Sequence, residues 1–244
     1  MKTHLLVLWV VLSLAVAPPM GGTPVTVPPE ITPLTIIETE PAEYPADLSR
    51  LGILDGWAKV VVGVDETGRL LDALIIGYTH PRFAAAAIAA LGRWQYRPAR
   101  VGGRPVATVT QVDLSFHFDS SGARVVTLTM LDYGEQLKLR AHKIENKLCS
   151  LDQLDGAPIP VFLVNPASSE EEILRHAGKR VVVGFYIDET GRVRLPTVSY
   201  ADDDAVARLA LAAVAQWRFE PPTSRHRPVI TRASQVFVFK APEE

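Results

Sequence analysis

The pentapeptide DETGR stands at Asp65–Arg69 and again at Asp188–Arg192, 123 residues later. The same offset carries Trp94 to Trp217, Pro98 to Pro221, Arg104-Pro105-Val106 to Arg227-Pro228-Val229, Thr108 to Thr231 and Phe116 to Phe239. Chance does not keep one register without a gap over that length, so the chain must build one supersecondary unit twice. Whatever is read into the first copy has to make sense in the second.

Each copy reads as hairpin, helix, strand. Val60–Val64 and Val181–Ile187 are apolar runs rich in β-branched residues, DETGR follows each, and Leu70–Ile76 and Val193–Ser199 come next. Gly68 and Gly191 supply the positive φ that closes the turn, and Asp65 and Asp188 bond its backbone. Turn chemistry therefore accounts for DETGR. Its Asp-Glu pair, on a hairpin tip, is expected to be solvated and unshifted, with no acid–base role. Thr79-His80-Pro81 signals a helix start, a capping hydroxyl with proline in the first turn. Phe83, Ala87, Leu91 and Trp94 share one helical face, as do their counterparts Val206, Ala210, Val214 and Trp217. Asp202-Asp203-Asp204 precede the second helix, where the positive end of its dipole explains them better than calcium, whose ligand spacing they lack. Gln111–Phe118 alternates strictly, and Ser234–Phe239 is its counterpart. The predicted class is α+β. Two tandem units each carry a three-stranded antiparallel sheet with one long helix on one face, and short helices are expected at Pro45–Leu51 and Ser169–His176.

The flanks differ in kind. Met1–Gly22 opens with one lysine and a thirteen-residue apolar run, Leu5–Ala17, ending in Ala-Val-Ala. That is shorter than the roughly 20 residues a membrane span requires and fits an export signal. Pro18 stands against cleavage there, so the segment is either removed or kept as a short anchor. Residues 23–43 read as a proline-rich, extended spacer. Residues 44–118 hold the first unit, 119–166 a connector and 167–241 the second unit. Within the connector Arg124–Met130 is β-prone and Glu135–Leu148 polar, so it extends the first sheet, links the units, or does both. A net charge of −2 offers no field for a polyanion, and nucleic acid is not an expected partner. Cys149 is the single cysteine. It has no disulfide framework to join and reads as a small apolar side chain.

The stretch YPADLSRLGILDGWAKVVVGVDETGRLLDALIIG, the alanine-rich helix ending RWQYRPARVGGRPV, and TQVDLSFHF together resemble the TonB carboxy-terminal domain. VVVGFYIDETGRVRLPTVSY, AVAQWRFEPP and SQVFVF are similar to the same family. Its motif positions fall on Tyr44, Pro45, Asp65, Gly68, Trp94, Tyr96 and Pro98 in the first copy. In the second they fall on Asp188, Gly191, Trp217, Phe219 and Pro221, where Asn165-Pro166 or Ile159-Pro160 stands in place of Tyr-Pro. The resemblance implies a periplasmic domain on a proline-rich arm that grips a peptide of a TonB-dependent outer-membrane transporter by strand addition. It also implies inner-membrane motor proteins as partners wherever the N-terminal segment is retained.

The residues permit such a grip independently, because a three-stranded sheet has open edges, each a row of unpaired N–H and C=O groups. The third strand is the candidate. Gln111, Asp113, Ser115, Gln235 and Val236 are its expected contacts, whereas Leu114, Phe116, Phe237, Phe239, Trp94 and Trp217 are expected in the core. Two functions follow, an energy transducer or a periplasmic peptide-holding scaffold without force transmission. An enzyme is not expected. The chain carries no G-x-S-x-G, H-E-x-x-H, C-x-x-C or glycine-rich phosphate loop, and its six histidines do not superpose under the repeat. No catalytic residue, metal site, cofactor or small-molecule substrate is therefore assigned.

Overall fold

The computed structural model describes residues 30–38, 40–119, 122–128, 145–166 and 170–239. The N-terminal segment, the start of the spacer and the polar stretch from Glu135 as far as residue 144 lie outside the described residues. Helix α1 (Ala46–Arg50) leads into strand β1 (Asp55–Val64), which turns through Asp65–Arg69 into β2 (Leu70–Tyr78), followed by helix α2 (Pro81–Leu91) and the long strand β3 (Thr108–Asp119). Strands β4 (Gly122–Leu128), β5 (Glu145–Asn146) and β6 (Leu148–Cys149) come from the connector. The second unit repeats the order with α3 (Glu170–Arg175), β7 (Arg180–Ile187), β8 (Val193–Ala201), α4 (Asp204–Val214) and β9 (Ile230–Val238).

The class is α+β, but the sheets are wider than three strands. The first runs β5-β2-β1-β3-β4 and the second β6-β9-β7-β8, and the connector supplies every addition. Each helix lies on one face of its sheet. Phe83, Ala87 and Leu91 of α2 pack with Val60, Val62, Leu114 and Phe116, and Val206, Ala210 and Val214 of α4 pack with Val181, Val183 and Ile187. The alanines bring the helix axis close to the sheet, so β-branched side chains fill the layer between. One cap differs from expectation. His80 Nδ1, not Thr79, accepts the N–H of Arg82 at 3.2 Å, while the Thr79 hydroxyl accepts the N–H of Trp57 at 2.9 Å. The second helix is capped by Asp203, which accepts from Val206 N at 2.9 Å and pairs with Lys179. The Lys179 ammonium, then the Val206 N–H, hold the Asp203 carboxyl down to about 2.

The units stack through the faces turned away from the helices. Val61, Leu74 and Ile76 of the first sheet enclose Leu195 and Ile230 of the second, with Tyr186 and Leu148 at the margin. Gly63 makes this approach possible, since a Cβ there would come within 2.7 Å of Leu195 Cδ2. Beside the apolar contact Arg194 Nε donates to Asp72 Oδ2 at 2.7 Å, and Nη2 donates to the other carboxylate oxygen. The connector is therefore both an extension and a link. Lys147 donates its N–H to Ile76 O of the first sheet at 2.9 Å and accepts the N–H of Ile230 of the second at 2.7 Å.

Part of the proline-rich spacer is also structured. Ile31–Thr32 pairs with Ala99–Val101, and Thr35–Glu38 pairs with Gln95–Arg97. The prolines sit between these short edge segments rather than inside them, which the missing N–H groups allow.

Candidate functional site

The duplicated motif residues build the same corner twice. Asp65 Oδ1 accepts from Thr67 N at 2.9 Å, Thr67 Oγ1 at 2.6 Å and Arg69 N at 2.8 Å. Asp188 Oδ1 accepts from Thr190 N at 2.9 Å, Thr190 Oγ1 at 2.7 Å and Arg192 N at 3.0 Å. Both aspartates are nearly buried, which corrects the expectation of solvated, unshifted carboxyls. The Thr67 hydroxyl, then the Arg69 N–H, hold Asp65 down to about 2. Burial works against ionised Asp188, but Thr190, the turn N–H groups and Arg194 outweigh it and lower its pKa. These carboxylates are spent on closing a turn, which leaves them no proton to move near neutrality.

Glycine is required at this corner twice over. Gly68 and Gly191 have φ of 89° and 79°. A Cβ would lie 2.3 Å from Tyr96 O in the first copy and 1.9 Å from Phe219 O in the second. The turn thus rests on the strand that follows the motif tryptophan. Each indole in turn fixes the segment leading into its unit. Trp94 Nε1 donates to Glu40 O and Trp217 Nε1 to Val164 O, both at 2.8 Å. Pro160–Phe162 pairs with Arg218–Phe219 as Thr35–Glu38 pairs with Gln95–Arg97, so the second lead-in takes the same place without a Tyr-Pro. Tyr44 packs edge-on to Phe83 and donates to Ile53 O, and Pro45 precedes α1 at its N-cap.

The third strands define the rims. Phe118 donates its N–H inward to Leu54 O at 2.9 Å, and the β1–β3 ladder has no register shift. Odd-numbered residues of β3, Val109 to His117, therefore turn their peptide groups outward. In β9 the N–H of Ile230 points outward to Lys147 O, and that of Phe239 inward to Lys179 O. Arg232, Ser234, Val236 and Val238 thus face the outer rim, and they are the counterparts of Val109, Gln111, Asp113 and Ser115 under the 123-residue offset. The two rims differ in occupancy. Strand β4 runs antiparallel along the first, with Asp113 opposite Leu128, Ser115 opposite Val126 and His117 opposite Arg124. Along the second, β6 covers only Ile230 and Thr231. Among the described residues no strand pairs with the outer side of Arg232–Val238.

The family model described as Gram-negative bacterial TonB protein C-terminal matches residues 40–118 and 167–241, well over half of the chain. The chain belongs to the TonB C-terminal family. None of the curated proteins compared matches it. Both matched segments end at the third strand, so β4, β5 and β6 lie outside the TonB-like units. Among the described residues no helix is long and apolar enough to cross a membrane.

Measured against this TonB-like rim, the sequence-predicted contacts separate. Asp113 and Ser115 stand on the rim that β4 covers, and Gln111 lies just beyond it. Its Nε2 donates to Asp113 Oδ1 at 2.7 Å, and burial raises the Asp113 carboxyl despite that bond. Gln235 directs its peptide groups to β7, opposite Val183, and its side chain reaches round to the rim, where Nε2 donates to Val236 O at 2.8 Å. Val236 alone of the five is on the open rim. Arg232, Ser234 and Val238 face the same rim, as the alternation from Ile230 shows once the inward side is known. Leu114, Phe116 and Phe239 are buried, as are both tryptophans, and Phe237 is partly so.

The opposite edge of the second sheet is a poor template. Strand β8 has two register shifts against β7, Leu195 with φ of 52°, and Pro196, which lacks an N–H. The open rim instead borders a cleft of about 950 Å³ between the sheets, lined by Gln111, Tyr186, Leu195, Arg232 and Ser234 among others. A larger hollow of about 1260 Å³ lies across the connector, where Lys147 and Glu189 already pair, and it reaches neither rim.

Proposed function

We propose that this protein is a TonB-like component of the Gram-negative cell envelope that captures an extended peptide of an outer-membrane transporter by adding it as a strand along Arg232–Val238. The observation that carries this reading is the outer side of Arg232–Val238, which no strand among the described residues pairs, in a unit of the TonB C-terminal family. Main-chain hydrogen bonds from alternate residues supply affinity, and flanking side chains supply selectivity. Val236 and Val238 are 43% and 51% exposed, so the rim favours a guest with apolar side chains beside them over one with charges there.

Export to the periplasm fits the N-terminal segment, and its retention separates the two roles. An intact Met1 gives a transducer that inner-membrane motor proteins pull on. A cleaved N-terminus gives a periplasmic module that holds peptides without force, and N-terminal sequencing of the protein from membranes decides between them.

Binding itself is tested with a synthetic peptide from the periplasmic N-terminus of a transporter of the same envelope. Val236→Pro removes an outward N–H and leaves the β7 ladder untouched. The expected result is an affinity loss of about tenfold or more, equivalent to about 1.4 kcal/mol. Unchanged affinity would move the site away from this rim.

A further inference from the structure

We propose that β4 is an intramolecular guest. Residues 122–128 occupy on the first unit the place that an external strand takes on the second, and the first rim is a latent binding site that opens when they leave. The inference shares with the proposed function the premise that a third-strand rim accepts a strand, but it concerns the other unit.

Three observations carry it. The rims are the same structure: Asp113 and Ser115, which β4 pairs, are the repeat counterparts of Val236 and Val238, which no strand among the described residues pairs on the outer side. The unit does not depend on a fourth strand for its core, because the second copy builds its own from β7, β8, β9 and α4, with Val181, Val183, Val206, Val214 and Trp217 enclosed. Finally, β4 begins after residue 118, where the family match ends, so it is an addition to the TonB-like unit rather than part of it.

The tether makes the resting state closed. Asp119 pairs with Gly122, and a tether of two intervening residues keeps the strand at an effective concentration in the millimolar range or above. A free peptide at micromolar concentration cannot displace it, and the chain at rest offers one rim. Lengthening or proteolysis between Asp119 and Gly122 lowers that effective concentration, and tension on the chain beyond Leu128 peels the strand away; either opens the second site.

The ladder specifies the test. Odd residues of β3 face β4, so Leu128, Val126 and Arg124 exchange hydrogen bonds with Asp113, Ser115 and His117 respectively. Val126→Pro in the full chain removes such a bond, whereas Val125→Pro places the ring where the N–H faces away. Hydrogen exchange is followed at the amides of Asp113, Ser115 and His117, with those of Val60 and Val62 reporting the core. The probe is the free peptide GARVVTL, the sequence of residues 122–128, against a peptide of the same length with proline at both valines.

In Val126→Pro the three rim amides are expected to exchange at least about tenfold faster while the core stays protected. GARVVTL is expected to restore their protection, and the proline peptide is not. In the Val125→Pro control protection persists and GARVVTL changes nothing. Rim amides that stay fast with GARVVTL would overturn the proposal, and so would loss of core protection in Val126→Pro, because β4 would then be integral to the fold. Amides of Ser234, Val236 and Val238, read in the same samples, report the second rim. A failure of the proposed function there is thus distinguishable from a failure at the first rim.

Discussion

Replacing Gly191 by alanine tests the corner on which both copies are built. Gly191 has φ of 79°, and an added Cβ would stand 1.9 Å from Phe219 O and 2.9 Å from Phe219 C. The left-handed backbone alone costs an L-residue about 1–2 kcal/mol. Backbone cannot swing aside as a side chain does, and Phe219 is pinned by its N–H, which donates to Gly191 O at 2.8 Å. Forcing a methyl group into such a contact costs about 1–3 kcal/mol more. Gly191→Ala should therefore lose about 2–5 kcal/mol in total, a large part of a typical domain's stability. Two controls isolate the contact. Gly178 has φ of 81° but nothing within 4 Å of an added Cβ, so Gly178→Ala should lose only the backbone share, about 1–2 kcal/mol. Gly184 has ordinary φ and no Cβ neighbour nearer than 3.9 Å, so Gly184→Ala should stay within about 0.5 kcal/mol of the parent. Urea titration followed by tryptophan fluorescence measures all three, with the slope checked for constancy. Equal losses for Gly191→Ala and Gly178→Ala would refute the packing of the turn on Phe219.

Three further outcomes follow from the same structure. Asp65 titrates near 2 in the fold against an ordinary value of 3.8, so its contribution is complete above pH 3.8 and is lost as the pH falls through about 2; acid titration of Asp65→Asn should show a flatter stability profile across that window and lower stability at neutral pH. Leu195 is buried between the units, and Leu195→Ala should lose about 2–5 kcal/mol and split one calorimetric transition into two, whereas a single undiminished transition would mean the units do not share that contact. Trp217→Phe removes the indole bond to Val164 O at about 1 kcal/mol, and chymotrypsin should then cut faster after Phe162, where an unchanged rate would show that the indole does not hold the lead-in strand.

What was legible in the sequence was local or repeated. The hairpins, the helices and the glycine corners follow from short-range periodicity, and the second copy checked each against the first. The missed features pair residues far apart. Nothing in Ile31–Glu38 announces Gln95–Val101 as its partner, because short edge segments between prolines carry no period. The stacking of the units rests on Gly63 admitting Leu195, a fit between shapes that neither residue signals alone. The acidity of Asp65 was misjudged because a hairpin tip is usually solvated, whereas here the turn brings the Thr67 hydroxyl and the Arg69 N–H onto its carboxylate. The sequence reading named residues on both sides of the third strands, and the structure sorts them by side. Alternation shows which residues share a side, and only the bonds of Ile230 and Phe239 show which side is out.

Hydrogen exchange along β9, with and without the transporter-derived peptide, tests strand addition most directly. The account predicts that the amides of Arg232, Ser234, Val236 and Val238 become protected on binding, while those of Ala233, Gln235 and Phe237, already bonded to β7, stay unchanged. Saturable binding that leaves the even-numbered amides exchanging as fast as before would contradict it.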